Sequence, residues 1–179
     1  DDREWHGDNT THLAKDYPAF IGDSVRAIAD GKVYRVYNSI SGFGGFNPTR
    51  YGPAIVIRHK KYDGTVFFAL YGHVSSELAE NEFVNGNDVI GTVSNYLYGV
   101  ASWPHLHFGI WDEISEFPTT GLGYGQDRSF VNPVSFLETV KSQNWTDTPD
   151  NANVGSISFL PSSPVANQSI TVSAPVSGS

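Results

Sequence analysis

Apolar residues along this chain fall in short runs bounded by turn residues, the pattern of a β-rich fold rather than of long amphipathic helices. Val25-Arg-Ala-Ile-Ala, then Asp30-Gly31, then Lys32-Val-Tyr-Arg-Val-Tyr predict strand, tight turn and strand, because Asp-Gly suits a two-residue hairpin. Gly42-Phe-Gly-Gly-Phe-Asn-Pro predicts a loop; no Lys-Ser/Thr and no helix follow it, so it is not a phosphate loop. Ala54-Ile-Val-Ile-Arg-His and Thr65-Val-Phe-Phe-Ala-Leu-Tyr-Gly-His predict a second hairpin through Asp63-Gly64, and Phe67, Ala69, Tyr71 and His73 alternate onto one face. Val84-Asn-Gly-Asn-Asp-Val-Ile-Gly supplies a further turn and short strand. A helix is predicted over residues 133 to 142, capped by Asn132 and opened by Pro133, with Val134, Leu137 and Val140 on one face. A shorter helix is predicted from Ser75 to Glu80.

Residues 1–145 are expected to form one core domain. The stretch 146–179, rich in Ser, Pro and Asn, reads as a linker and the start of a truncated β domain. High aromatic content, few helix formers and abundant Gly and Asn favour an all-β domain. The chain has no Cys, which excludes disulfides and thiolate metal sites, so any metal must be held by His, Asp or Glu. The net charge of −8 with only 11 Lys and Arg argues against nucleic acid as a partner, and no apolar run is long enough for membrane insertion. The lack of Met and the start at Asp1 are expected of a mature or excised segment.

The candidate chemistry centres on Ser102-Trp-Pro-His-Leu-His-Phe-Gly. In an extended strand His105 and His107 share one face, with Leu106 and Phe108 on the other. Paired imidazoles are metal ligands or proton carriers. A catalytic zinc commonly has three protein ligands and one open position. His12, Asp16 and one of the paired histidines would make such a set, leaving the ion a formal charge of +1 and its Lewis acidity. The remaining histidines, His73 included, would handle protons. No His-Glu-x-x-His helix is present, so a hydrolase built here would use histidine for acid–base work.

From His12 to Leu137 the chain resembles the lysostaphin-like, or LytM-type, zinc metallopeptidases of bacterial cell-wall peptidoglycan. The blocks are His12-Leu-Ala-Lys-Asp16, Gly22-Asp-Ser-Val-Arg-Ala-Ile-Ala-Asp-Gly-Lys-Val, Ile55-Val-Ile-Arg-His59, Leu70-Tyr-Gly-His-Val74, Asn85-Gly-Asn-Asp-Val-Ile-Gly91, Pro104-His-Leu-His-Phe-Gly109 and Asn132-Pro-Val-Ser-Phe-Leu137. Their order and spacing carry more weight than any one of them. The resemblance implies an all-β, largely antiparallel sheet or sandwich core with one short C-terminal helix and a site in a groove between loops. It implies that His12, Asp16 and His107 bind one Zn²⁺ and that His73 and His105 are catalytic without being ligands. It implies a zinc endopeptidase that hydrolyses peptidoglycan peptides, is secreted, periplasmic or cell-wall associated, and is monomeric, with room for a further C-terminal domain. Two departures stand out. Ala14 replaces a residue that is often Gly, and would be strained if that position needs positive φ. Asn95-Tyr-Leu-Tyr-Gly-Val-Ala-Ser-Trp replaces a Gly-rich approach to the paired histidines, where a groove wall is expected.

Plainer readings accompany each residue. His12 and Asp16 alone would be a solvated loop pair, and His105 and His107 alone an ordinary strand pair. His59 reads as structural, satisfied by a backbone or carboxylate partner, and His6 as an ordinary exposed residue, with a substitute ligand or a groove flank as its alternatives. Tyr96, Tyr98 and Trp103 either line a groove or pack a loop. Glu77, Glu80 and Glu82 read as a solvated face. Competing functions are a non-catalytic wall-binding or hydrolase-activating domain of the same fold, and a zinc peptidase of Gly-rich proteins. Loss of ligands would mark the former, and this chain keeps them.

Overall fold

The computed structural model describes residues 5–6, 10–45, 50–98, 100–113, 117–119, 122–125 and 129–142. The stretch 146–179, and with it the expected linker and further domain, lies outside them. The centre is an antiparallel sheet whose strands run in the order Phe130–Val131, His105–Trp111, Val66–Gly72, Tyr51–Lys60, Gly31–Ser41 and Phe83–Val84. Lys15–Pro18 also pairs with His105–Trp111. A second, three-stranded sheet joins Ser24–Arg26, Val89–Val93 and Val74–Ser75. The all-β, antiparallel expectation holds.

The middle strands are apolar on both faces because both faces are covered. Ile55, Ile57, Phe67, Ala69, Tyr71, Leu106 and Phe108 enter one buried cluster. Ala54, Val56, Phe68, Leu70 and Trp111 enter another, with Leu13, Phe43, Phe117 and Phe130. The hairpin through Asp63-Gly64 forms as predicted, pairing Lys60 with Val66. Gly64 takes φ 85°, and the Asp63 carboxylate accepts from the Thr65 N–H and hydroxyl. The helix forms at Pro133–Ser142, with Asn132 Oδ1 accepting from the Val134 and Ser135 N–H groups, and Leu137 and Val140 buried. Among the described residues no helix is long and apolar enough to cross a membrane.

Two expected elements fail to form. Asp30-Gly31 is not a hairpin turn: Ser24–Arg26 pairs with Val89–Val93, whereas Gly31–Ser41 pairs with Tyr51–Lys60 and Phe83–Val84. Gly31 is needed for close approach, since a Cβ there would lie 2.7 Å from His59 Nδ1 and 2.8 Å from the Arg58 carbonyl oxygen. No helix forms from Ser75 to Glu80. Side chains there bond the backbone instead: Ser76 Oγ accepts from the Leu78 N–H and Glu82 Oε2 from the Ala79 N–H, and one short turn cannot offset helix nucleation. Glu77, Glu80 and Glu82 are exposed, as expected.

His59 is a core residue. Its Nδ1 is 2.9 Å from the Asp30 carbonyl oxygen, so Nδ1 carries the hydrogen and donates it. The ring stacks on Phe67 at 27°, and Nε2 is buried without a hydrogen-bond partner. Burial pushes the imidazole down from 6.5 to about 4, against the opposing bond to Asp30. The folded state therefore holds His59 neutral where the unfolded chain binds a proton, and stability rises with pH across that window. We predict that the His59 contribution, about 3 kcal/mol at full extent, is present above pH 6.5 and lost as pH falls through 4. Urea unfolding of wild type and His59→Phe at several pH values checks this; an equally steep pH dependence in the variant refutes it.

Candidate metal centre

Cross-strand register builds the site. Asp16 pairs directly with His107, and His105 with Pro18, while the other edge of the same strand pairs His107 with Gly72. Directly opposed residues share a face, so Asp16 and His107 project together, and His105 follows by strand alternation. Leu106 and Phe108 turn to the opposite cluster, as the sequence predicts. His12 ends the strand Thr10–His12, held by pairing of His12 with Tyr124 and by the Leu13 N–H donating to the Gly123 carbonyl. Ala14 is fully buried. Among the described non-glycine residues only His73, Asn81 and Asn87 have positive φ, so Ala14 meets no left-handed strain.

These elements bring three atoms to a point. His12 Nε2 lies 3.2 Å and His107 Nδ1 3.3 Å from Asp16 Oδ1, and the two nitrogens are 3.0 Å apart. Zn–N and Zn–O bonds of roughly 2.0–2.1 Å imply tetrahedral edges of roughly 3.3–3.4 Å, so the triangle fits three corners of such a site. Asp16 Oδ1 is buried and close to both nitrogens without a well-aligned hydrogen bond to either, while His12 Nε2 and His107 Nδ1 lie within hydrogen-bond distance of each other. A divalent cation would satisfy all three, and His12, Asp16 and His107 form the group able to hold one. Burial works against the Asp16 carboxylate, but the facing His107 and His12 rings outweigh it and hold the carboxyl well below its usual range. Burial also pushes the His107 imidazole down, with Asp16 partly opposing. A carboxylate and neutral imidazoles are the protonation states a metal requires.

His73 and His105 stand beside this group, ring centroids 4.4 Å apart. His73 Nδ1 is 2.7 Å from the Phe43 carbonyl oxygen, and His105 Nδ1 is 2.9 Å from that of Trp103. A carbonyl only accepts, so each Nδ1 carries a hydrogen, and Nε2 is the atom left to exchange a proton on each ring. Burial, reinforced by the neighbouring His105 and His107, pushes the His73 imidazole well down, with the Phe43 bond and Asp16 opposing. His105 Nε2 faces Asp16 Oδ2 at 3.5 Å. Tyr96 packs edge-on against both rings, at 4.6 Å from His73 and 4.8 Å from His105, and Trp103, 56% exposed, lies 5.0 Å from His105. Tyr96 and Trp103 thus line the cavity that also holds Asp16, His73, His105 and His107.

The five histidine and aspartate residues singled out from the sequence lie in this one cluster. His73 arrives by a different route than strand alternation. The strand ends at Gly72, and His73 takes φ 62°, which moves it from the face of Tyr71 to that of His107 and Phe43. His59 is elsewhere, in the core. His6 lies in the strand Trp5–His6, its backbone paired with Thr10, and its side chain is outside the described residues, as is that of Tyr98. Sequence reasoning missed Phe43, whose ring is 5.3 Å from His107 and 5.2 Å from His73. A single aromatic between Gly42 and Gly44 was its signal.

The structure is similar to the catalytic domain of the antimicrobial peptidase lysostaphin from Staphylococcus simulans, at 24% identity and a TM-score of 0.48, over 72% of this chain and 80% of that one. It is similar to a mutant catalytic domain of the prophage-encoded M23 protein EnpA from Enterococcus faecalis, at 22% identity and a TM-score of 0.48, over 73% of this chain and 81% of that one. A zinc containing peptidase from Vibrio cholerae matches at 22% identity and a TM-score of 0.46, over 62% of this chain and 31% of that one. No curated protein matches the sequence. The family model "Peptidase family M23" matches residues 10–118, a span that holds His12, Asp16, His73, His105 and His107. The chain belongs to peptidase family M23.

Proposed function

We propose that the chain is a zinc endopeptidase that hydrolyses peptide bonds in peptidoglycan peptides, outside the cytoplasm. The observation that carries this reading is the 3.0–3.3 Å triangle of His12 Nε2, Asp16 Oδ1 and His107 Nδ1 beside two histidines anchored at Nδ1. Membership of peptidase family M23 supports the reaction class, and the resemblance of the motif blocks to peptidoglycan peptidases supports the substrate class.

His12, Asp16 and His107 are the proposed ligands. Zinc held by them would supply Lewis acidity, polarising the scissile carbonyl and acidifying the attacking water. His73 and His105 are the proposed catalytic histidines. Because both Nδ1 hydrogens are committed to carbonyls, each ring exchanges protons through Nε2 alone. One Nε2 takes the proton of the attacking water and becomes a donor, either to the developing oxyanion or to the departing amine. Burial keeps the resting His73 ring neutral, so its Nε2 lone pair is unprotonated. Phe43, Tyr96 and Trp103 shield these rings from bulk water. A non-catalytic role is disfavoured, since the proposed ligands and both proton carriers are retained.

Substitution separates ligand from proton carrier. His107→Ala is expected to lose bound zinc, from about one ion per chain to almost none by metal analysis, together with all activity. His73→Ala is expected to keep zinc while kcat falls by roughly 10²- to 10⁴-fold. An active, zinc-free His107→Ala protein refutes the assignment.

Substrate and metal dependence are read in one assay, in which the chain is incubated with defined cross-linked muropeptides and with pentaglycine and products are identified by mass. Cleavage of a muropeptide or of pentaglycine that stops with chelator and returns with zinc is expected. Cleavage untouched by chelator, or of neither substrate, counts against the proposal.

A further inference from the structure

Phe43 meets the histidine cluster with both its backbone and its side chain, as Trp103 does at His105, but unlike Trp103 it is buried. Its carbonyl oxygen accepts the Nδ1 hydrogen of His73 at 2.7 Å. Its ring lies tilted against His73 and meets the His107 ring at 85°, and only 2% of the residue is exposed. The space it fills is made by glycines on other strands. A Cβ at Gly72 would lie 2.2 Å from Phe43 Cε1, and one at Gly52 would lie 2.1 Å from the Phe43 carbonyl oxygen itself. Strand glycines weaken a sheet unless another group must approach closely, and here that group is Phe43. The residue is carried on a glycine-rich loop: Gly42 has φ 88°, and its N–H donates to the Arg50 carbonyl. Such a backbone has little stiffness of its own. Backbone bonds tie the loop on either side, from the Phe43 N–H to Ile40, from the Gly44 N–H to Arg50 and from the Leu97 N–H to Gly44, and the wedged ring adds the side-chain anchor that sets the direction of the carbonyl between them.

We propose that Phe43 is a positioning residue for His73: its ring, seated over Gly72, aims its own carbonyl so that His73 is held as the Nδ1–H tautomer with Nε2 facing the reaction. The proton stays on Nδ1 throughout, and Nε2 is the atom that exchanges. Without the wedge, the loop turns, the carbonyl leaves Nδ1, and the ring divides between two tautomers, one of which carries a hydrogen where a lone pair is needed. The kinetic part of this inference rests on the peptidase reading above; the tautomer part stands on geometry alone.

The test is ¹⁵N NMR of the histidine rings in the full zinc-loaded chain, with His73 assigned by its loss in His73→Gln, alongside zinc content and steady-state kinetics. Wild type is expected to show His73 with the proton on Nδ1 alone. Phe43→Ala is expected to keep its zinc, show mixed His73 tautomers, and lose roughly a hundredfold in kcat with KM little changed, as misplacement of a reacting group does. Phe43→Leu, which refills the space above Gly72, should restore the single tautomer and most of kcat. Gly72→Ala, which displaces the ring from outside, should reproduce the Phe43→Ala tautomer mixture and decides the matter if Phe43→Ala fails to fold. A single Nδ1–H tautomer in both Phe43→Ala and Gly72→Ala overturns the proposal, as does a wild-type His73 protonated on Nε2. If wild type cleaves neither muropeptide nor pentaglycine, the peptidase reading falls while the tautomer measurement still decides the role of Phe43.

Discussion

Pairing of Lys15–Pro18 with the first half of His105–Trp111 is the constraint on which the site depends. It sets Asp16 opposite His107, on the face where His105 also projects. A slip of one residue would turn Asp16 to the apolar face that holds Tyr17, Leu106 and Phe108. Burial of Leu106 and Phe108, each favourable by about 1.5–3 kcal/mol, with Tyr17 packed half-buried against them, opposes the slip. The hydrophobic face of the strand thus fixes the polar face. Distances of 3.0–3.3 Å among His12, Asp16 and His107 follow from packing on the far side of the same backbone.

That dependence explains why much of the molecule could be read from the sequence. Period-two alternation needs only local information, so the shared direction of His105 and His107 was legible, as were the Asp63-Gly64 hairpin and the Asn132-capped helix. The all-β architecture followed from the short apolar runs. The selection of His107 and Asp16, and of His73 and His105 beside them, came from the order of motif blocks rather than from local pattern. His12-x-x-x-Asp16 alone has nothing to distinguish it from a solvated pair.

What stayed hidden is non-local. Asp30-Gly31 has the chemistry of a tight turn, but Gly31 is required by the approach of His59 and Ile57 from a neighbouring strand. The segment after Ser75 has helix formers, yet its polar side chains bond their own backbone, which only the folded arrangement reveals. His73 leaves the alternation of its strand through one left-handed residue, and nothing in Leu70-Tyr-Gly-His-Val74 announces a φ of 62°. Phe43 was hidden because its partners, Gly52 and Gly72, contribute no side chain at all. A contact made by the absence of a Cβ leaves no hydrophobic signal.

The cluster also sets a balance between stability and chemistry. His12, His73, His105 and His107 are buried, and Asp16 is only 28% exposed at its side chain. A buried charge is costly unless paired, so burial pushes the His73 and His107 imidazoles toward the neutral form, and negative charge is confined to one carboxylate. Carbonyls of Phe43 and Trp103 take up two Nδ1 hydrogens without adding charge. The remaining deficit in the cluster lies at His107 Nε2 and, in front of two ring nitrogens, at Asp16 Oδ1, both buried without a hydrogen-bond partner. An ion bound there would offset desolvation already incurred on folding, so affinity and stability are linked through the same three atoms. Positive φ at His73 adds local strain, and the Phe43 carbonyl bond holds the ring in that position. The polar face is therefore costly to fold in the same places where it is organised to bind an ion and move protons.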